Sequence, residues 1–276
     1  MRTAKTNARV IIKSLKIGSW LPGCLSLTLL LVLLVNSWRH DLPEAEAQIS
    51  PMSRARAIYE SNCAVCHGTH GDGNGPAASM FLIRPRDFRS GIFKLHTTPS
   101  GSLPTDDDIL WAITNGLRWT GMIGRPDLSM ADRKDLVRYI KTFSPRFAAE
   151  KPQAPVVVPP APPKTAERIA VGKRLYVDAG CDSCHGQSGA GDGPATEGLK
   201  DEWGWPTRAS DLRWRPLKRG SSVEQLYITL ATGFSGTPMP SYGDSLNGDQ
   251  LWSLVYYLES LVPPGQYLEP RQFLGE

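Results

Sequence analysis

Two short stretches carry the residue types that attach cofactors and ligate metals: CAVCHG, Cys63 to Gly68, and CDSCHG, Cys181 to Gly186. In each, two thiols three positions apart lie on one helical turn, and a histidine follows at once. Thiols so spaced can form thioether bonds to the two vinyl groups on one edge of a porphyrin. The histidine then lies below the ring with its imidazole aimed at the iron, and C-x-x-C-H is the attachment pattern of a c-type haem. A redox dithiol and half of a zinc site also use C-x-x-C. The dithiol needs neither the histidine nor a tandem copy. Zinc would draw on further ligands nearby, and only His70 and His96 stand available, both in the first copy. Two equivalent motifs point to two covalently bound haems, with Cys63, Cys66 and His67 holding one and Cys181, Cys184 and His185 the other.

The segments around the motifs repeat with a period of roughly 100 residues. IYESNCAVCHG lies against LYVDAGCDSCHG, and a GP dipeptide (Gly75-Pro76, Gly193-Pro194) begins eight residues after each histidine. RPRDFR (84–89) matches RASDLR (208–213), and TDDDIL (105–110) matches SSVEQL (221–226). A hydroxyl residue three positions before an acidic one opens both of the latter stretches, a helix-start signature. ITNGLRWTGM (113–122) matches TLATGFSGTPM (229–239), and LVRYIKTF (136–143) matches LVYYLESL (254–261), both reading as amphipathic helix. Between the copies, KPQAPVVVPPAPP (151–163) has six prolines in thirteen positions. Such a run favours polyproline II, a semi-stiff spacer of about 40 Å at full stretch that allows docked or separated halves. No sustained period-2 alternation appears, so each copy reads as a small all-α domain that needs a staple to compensate for a small core.

Each copy resembles a class I c-type cytochrome: a helix ending in C-x-x-C-H, a looped middle, a late methionine and a C-terminal helix packed across the first. The resemblance covers roughly 53–144 and 166–262. It implies a methionine sulfur opposite each axial histidine. For the second haem that is Met239, held between Pro238 and Pro240; for the first it is Met122, flanked by Gly121 and Ile123. Met130 opens the next helix and Met80 lies too near the attachment turn, while His96 would make the first haem bis-histidine. The resemblance also assigns Pro76 and Pro194 the carbonyls that accept a hydrogen bond from the axial histidines. Arg84 and Arg208 pair either with haem propionates or with Asp87 and Asp211. Trp203 and Trp205, without counterpart in the first copy, wall the second haem or fill its core.

The 276 residues, 41% hydrophobic, carry a net charge of +4. Thirteen Lys/Arg face nine Asp/Glu at 51–146, and eleven face fourteen at 164–276. That spread excludes the concentrated basic face that nucleic acid demands and fits two halves with different partners. Ile17 to Trp38 is an uncharged run of 22 residues behind five Lys/Arg, enough to span a membrane with the N-terminus in the cytoplasm. Ala45 to Ala47 offers the rival of a cleaved signal peptide. Cys24 lies within the apolar run and reads as a membrane thiol. The expected organisation is a basic tip, anchor and spacer at 1–47, a first domain at 48–147, a Pro-rich linker at 148–164 and a second domain at 165–276. The fold class is all-α: two tandem cytochrome c-like domains plus one transmembrane helix.

A six-coordinate haem has no open position for substrate, so the first reading is an electron carrier anchored in the bacterial inner membrane, with both haems in the periplasm. The class resemblance implies redox partners: a quinol-oxidising complex, a periplasmic oxidoreductase, or a terminal oxidase or reductase. An enzyme of the di-haem peroxidase or thiosulfate-oxidising type is the alternative, and it requires one exchangeable axial position. A haem-based sensor lacks any output domain in the pattern.

Overall fold

The computed structural model describes residues 50–264. The expected membrane span at 17–38, Cys24 and the Ala45–Ala47 site lie outside these residues. Among the described residues no helix is long and apolar enough to cross a membrane.

Both halves are helical. The first runs α1 (Pro51–Asn62), α2 (Ala64–His67), α3 (Asp106–Asn115), strands β1 (Gly116–Leu117) and β2 (Met122–Ile123), α4 (Met130–Lys141) and α5 (Arg146–Ala149). The second runs α6 (Ala166–Asp178), α7 (Cys181–His185), α8 (Val223–Thr232) and α9 (Gly248–Ser260). The all-α expectation gains one exception, the antiparallel two-residue pair β1–β2, which closes the loop carrying Met122.

Local sequence accounts for the helix starts. Thr105 and Asp108 form a reciprocal capping box at α3. At α8 the box is Ser222 with Gln225, one residue beyond the Ser221–Glu224 pair expected from the sequence, because glutamine returns the same hydrogen bond to the cap nitrogen. Asn247 and Gln250 repeat the device at α9.

In each half the first and last helices cross: α1 on α4, and α6 on α9. Ala55, fully buried, lies in α1, and Gly172 lies at the corresponding position of α6. A Cβ on Gly172 would come to 2.0 Å from the Ser253 carbonyl oxygen, so the second crossing demands glycine. Tyr59 and Tyr176 are buried beside the crossings and donate to the Gly68 and Gly186 carbonyls at 2.8 and 2.7 Å, tying the first helix to the end of each attachment turn.

α9 departs from the amphipathic expectation: every residue from Leu251 to Leu258 is buried. The reason is the proline segment, which packs as a strap and not as a free spacer. Its first part bonds to the first half, through Val156 N–H to the Thr97 carbonyl (2.7 Å) and Gln153 N–H to Ser102 Oγ (3.0 Å). Its second part receives Trp252 Nε1–H at the Pro159 carbonyl and Tyr256 O–H at the Pro162 carbonyl. The carbonyls are open to accept because an extended proline-rich segment makes no hydrogen bonds within itself.

Replacing Gly172 by alanine is expected to cost the haem-loaded protein about 1–3 kcal/mol, with Ala55→Gly costing about 1 kcal/mol or less. Chemical denaturation followed by circular dichroism measures both. Equal, negligible effects would contradict the close crossing of α6 and α9.

Candidate haem sites

α2 and α7 set the attachment turns. Cys63 precedes α2, Cys66 and His67 lie on it, and α7 spans the whole of Cys181–His185. The four cysteines are free and half-buried. Burial pushes the Cys63 thiol up to about 11 and raises Cys181 as well, so both are protonated at neutral pH. Thiols held in that state lack the thiolate character of a dithiol redox pair.

Each histidine has one nitrogen committed. His67 Nδ1 lies 3.2 Å from the Arg86 carbonyl, and His185 Nδ1 lies 2.9 Å from the Ser210 carbonyl. With Nδ1–H donating, Nε2 keeps its lone pair, the arrangement found in histidines that ligate metals. Burial pushes His67 down to about 4 and lowers His185, so both rings are neutral at pH 7. Phe88 stacks on the His67 ring at 4.5 Å and restrains its plane.

These contacts correct the assignment of Pro76 and Pro194 as the accepting residues. The carbonyl comes from the R-x-x-D segment, at the equivalent positions Arg86 and Ser210. The GP dipeptides serve packing instead. A Cβ on Gly75 would lie 2.4 Å from the Ala64 carbonyl oxygen, and one on Gly193 would lie 2.3 Å from that of Ser183. Only glycine lets the returning chain touch the attachment turn.

The methionine loops are one device built twice. Thr120 Oγ1 donates to the Leu117 carbonyl (2.7 Å) and accepts from Met122 N–H (3.3 Å). Thr237 Oγ1 does the same with the Phe234 carbonyl (2.7 Å) and Met239 N–H (3.3 Å). One position differs. Where the second loop has Gly236 at φ 75, the first has Trp119 at φ 63, a left-handed conformation that costs a tryptophan strain. Its indole Nε1–H donates to the Pro216 carbonyl in the other half at 2.9 Å.

In the second half, Cys181, Cys184, His185 and Met239 line one cavity of about 390 Å³. It continues into an apolar wall that includes Leu212, Leu226, Leu230 and Leu254. Apolar walls, two thiols and an imidazole with a free Nε2 fit a haem. His96 does not join the first site. It is 1% exposed, with Nδ1 2.7 Å from the Thr98 carbonyl and Nε2 2.8 Å from Ser235 Oγ of the other half, so both ring nitrogens are engaged.

Asp87 and Asp211 are bound by Arg89 and Arg213, not by Arg84 and Arg208. Arg84 lies over the Trp205 ring (4.4 Å) and Arg86 over the Trp203 ring (4.3 Å). The two tryptophans thus face first-half arginines, a cation–π role invisible in a sequence read one half at a time.

Residues 169–262 match the cytochrome c family, and residues 50–140 match the family described as cytochrome c oxidase, cbb3-type, subunit III. A cytochrome c-553-like protein of Synechocystis sp. is 36% identical over 87 residues, 30% of this chain and 79% of that protein. The chain belongs to the c-type cytochromes. It carries covalently bound c-type haem in two cytochrome c domains. A cbb3-type cytochrome c oxidase subunit CcoP of Azospirillum sp. is 26% identical over 220 residues, 76% of this cytochrome, which spans 62% of that relative's length. A chain of the Kuenenia stuttgartiensis reducing HAO-like protein complex superposes with a TM-score of 0.74 at 37% identity, covering 76% of this cytochrome and 96% of that chain. An electron-transfer di-haem cytochrome is the function these likenesses support.

Pro76→Ala and Pro194→Ala are expected to leave both reduction potentials within titration error, because the accepting carbonyls lie elsewhere. Gly75→Val and Gly193→Val are each expected to cost one haem per chain. A pyridine haemochrome count on purified protein reads the loss.

Proposed function

We propose that this cytochrome is a membrane-anchored, periplasmic electron carrier with two six-coordinate haems, His67 and Met122 binding one iron and His185 and Met239 the other. The observation that carries the reading is the duplicated threonine-braced methionine loop, paired in each half with a histidine whose Nδ1 is already bonded. Such a haem supplies a reversible one-electron change with little rearrangement, and a thioether ligand raises its potential. The chain holds the imidazoles by backbone carbonyls and the methionines by closed loops, and a methionine on the second axial position would leave the iron no site for substrate. Residues 17–38 are the proposed anchor, with haem domains at 48–147 and 165–276 joined by 148–164. The partner is a larger redox assembly. The likeness to a chain of the reducing HAO-like protein complex supports attachment to an enzyme of that kind, and the likeness to CcoP supports a terminal oxidase as the alternative.

Magnetic circular dichroism of the oxidised protein tests the ligands. Met122→Ala and Met239→Ala should each remove about half of the sulfur-to-iron charge-transfer band, lower one potential and open one ferrous haem to carbon monoxide. Ready carbon monoxide binding by the unaltered protein would overturn the carrier reading and favour an enzyme.

A further inference from the structure

Besides Arg84 on the Trp205 ring, the boundary between the two halves gathers four cations: Arg86 and Lys94 from the first, Lys218 and Arg219 from the second. Lys94 follows Asp87 by seven residues and Lys218 follows Asp211 by seven, so the repeat brings the same lysine to the boundary from both sides. Lys94 lines the second half's cavity together with Cys181, Cys184, His185 and Met239. Lys218 lines it too, and its Nζ donates to Ser210 Oγ at 2.6 Å, on the residue whose carbonyl holds His185.

The partners of these cations are neutral. Arg219, 7% exposed, donates to the His96 carbonyl (2.7 Å) and to Thr229 Oγ1 (3.3 Å). Arg86 donates to the Ser235 carbonyl at 3.1 Å. Among the described residues none of the four forms an ion pair with a carboxylate. Asp201, Glu202 and Asp108 act on them only from longer range. Burial pushes Lys94 down to about 7 and Lys218 down to about 8, and a carboxylate in the cavity would favour their charged forms. Arg219 is buried and Arg86, Lys94 and Lys218 are half-buried; cations drawn out of water in such number call for an anion, and the group that fits this cavity brings two carboxylates.

We infer that Lys94 of the first half joins Lys218 and Arg219 of the second in binding the propionates of the second haem, making that haem's acid subsite a shared possession of both domains. The inference rests on the haem reading of the cavity at His185. It has an electrostatic consequence. A cation contributed across the boundary disfavours the extra positive charge of the ferric state, so the first domain raises the potential of the haem in the second.

The test uses the complete di-haem protein with Lys94→Gln and Lys94→Arg. A pyridine haemochrome count establishes loading separately, so an unaltered chain lacking the second haem would sink the haem reading and not be confused with this one. The potentiometric waves are assigned to haems through nuclear Overhauser contacts of the haem methyls. With Lys94→Gln, the ferric-to-ferrous ratio of the second haem, at the unaltered protein's midpoint, should rise about three- to tenfold, the upper value being ~59 mV for one electron. Lys94→Arg should stay within about twofold of the unaltered ratio. A second-haem wave that stays put in a fully loaded Lys94→Gln protein, or a shift confined to the first haem, overturns the inference. Should Lys94→Gln fail to load, a structure of the loaded unaltered protein decides instead. Lys94 Nζ within about 4 Å of a second-haem propionate oxygen supports the assignment, and a greater separation overturns it.

Discussion

The hydrogen bond between each axial histidine and a backbone carbonyl is the contact on which the rest depends. An imidazole can ligate iron only with a free nitrogen, and can do so in a fixed direction only if the other nitrogen is held. Supplying that carbonyl forces the R-x-x-D segment to return beneath the attachment turn. That return demands a chain able to approach the turn closely, which Gly75 and Gly193 permit. The tyrosine anchors on the Gly68 and Gly186 carbonyls then fix the turn against the first helix, and the first helix against the last.

The same contact ties the halves together. Arg86 gives its carbonyl to His67, while its guanidinium crosses the boundary to the Ser235 carbonyl and the Trp203 ring. Ser235 lies in the Met239 loop and also meets buried His96. Trp119, in the Met122 loop, reaches Pro216 in turn. Each half therefore holds a part of the other's methionine loop. Relative motion of the halves would break contacts at both methionine loops, which suits electron exchange at constant geometry better than a pair of beads on a flexible string.

The proline segment contributes to that rigidity. Its carbonyls accept from Trp252 and Tyr256, and Val156 and Val158 pack against the core cluster to which α9 contributes, while Val157 points to solvent. A helix expected to be amphipathic is buried on all sides from Leu251 to Leu258 because a segment without helix or strand took the place of water.

By itself the sequence determined the attachment chemistry, the duplication, the helical class and the cap of α3, and it missed the cap of α8 by one residue. Those depend on residues close together in the chain: two thiols and a histidine on one turn, or a hydroxyl three positions before the backbone N–H it caps. Even the Met122–Met239 correspondence followed from aligning the two copies. Tertiary structure decided which carbonyl holds each histidine, what His96 bonds to and what Trp203 and Trp205 stack on. It also decided whether the prolines separate the halves or strap them. Each of these joins residues far apart in the chain, and several join the two halves. A carbonyl is present at every residue, so no residue type marks the acceptor in advance. An aromatic ring packs equally well on a core or on an arginine, and only the folded chain says which of them is near.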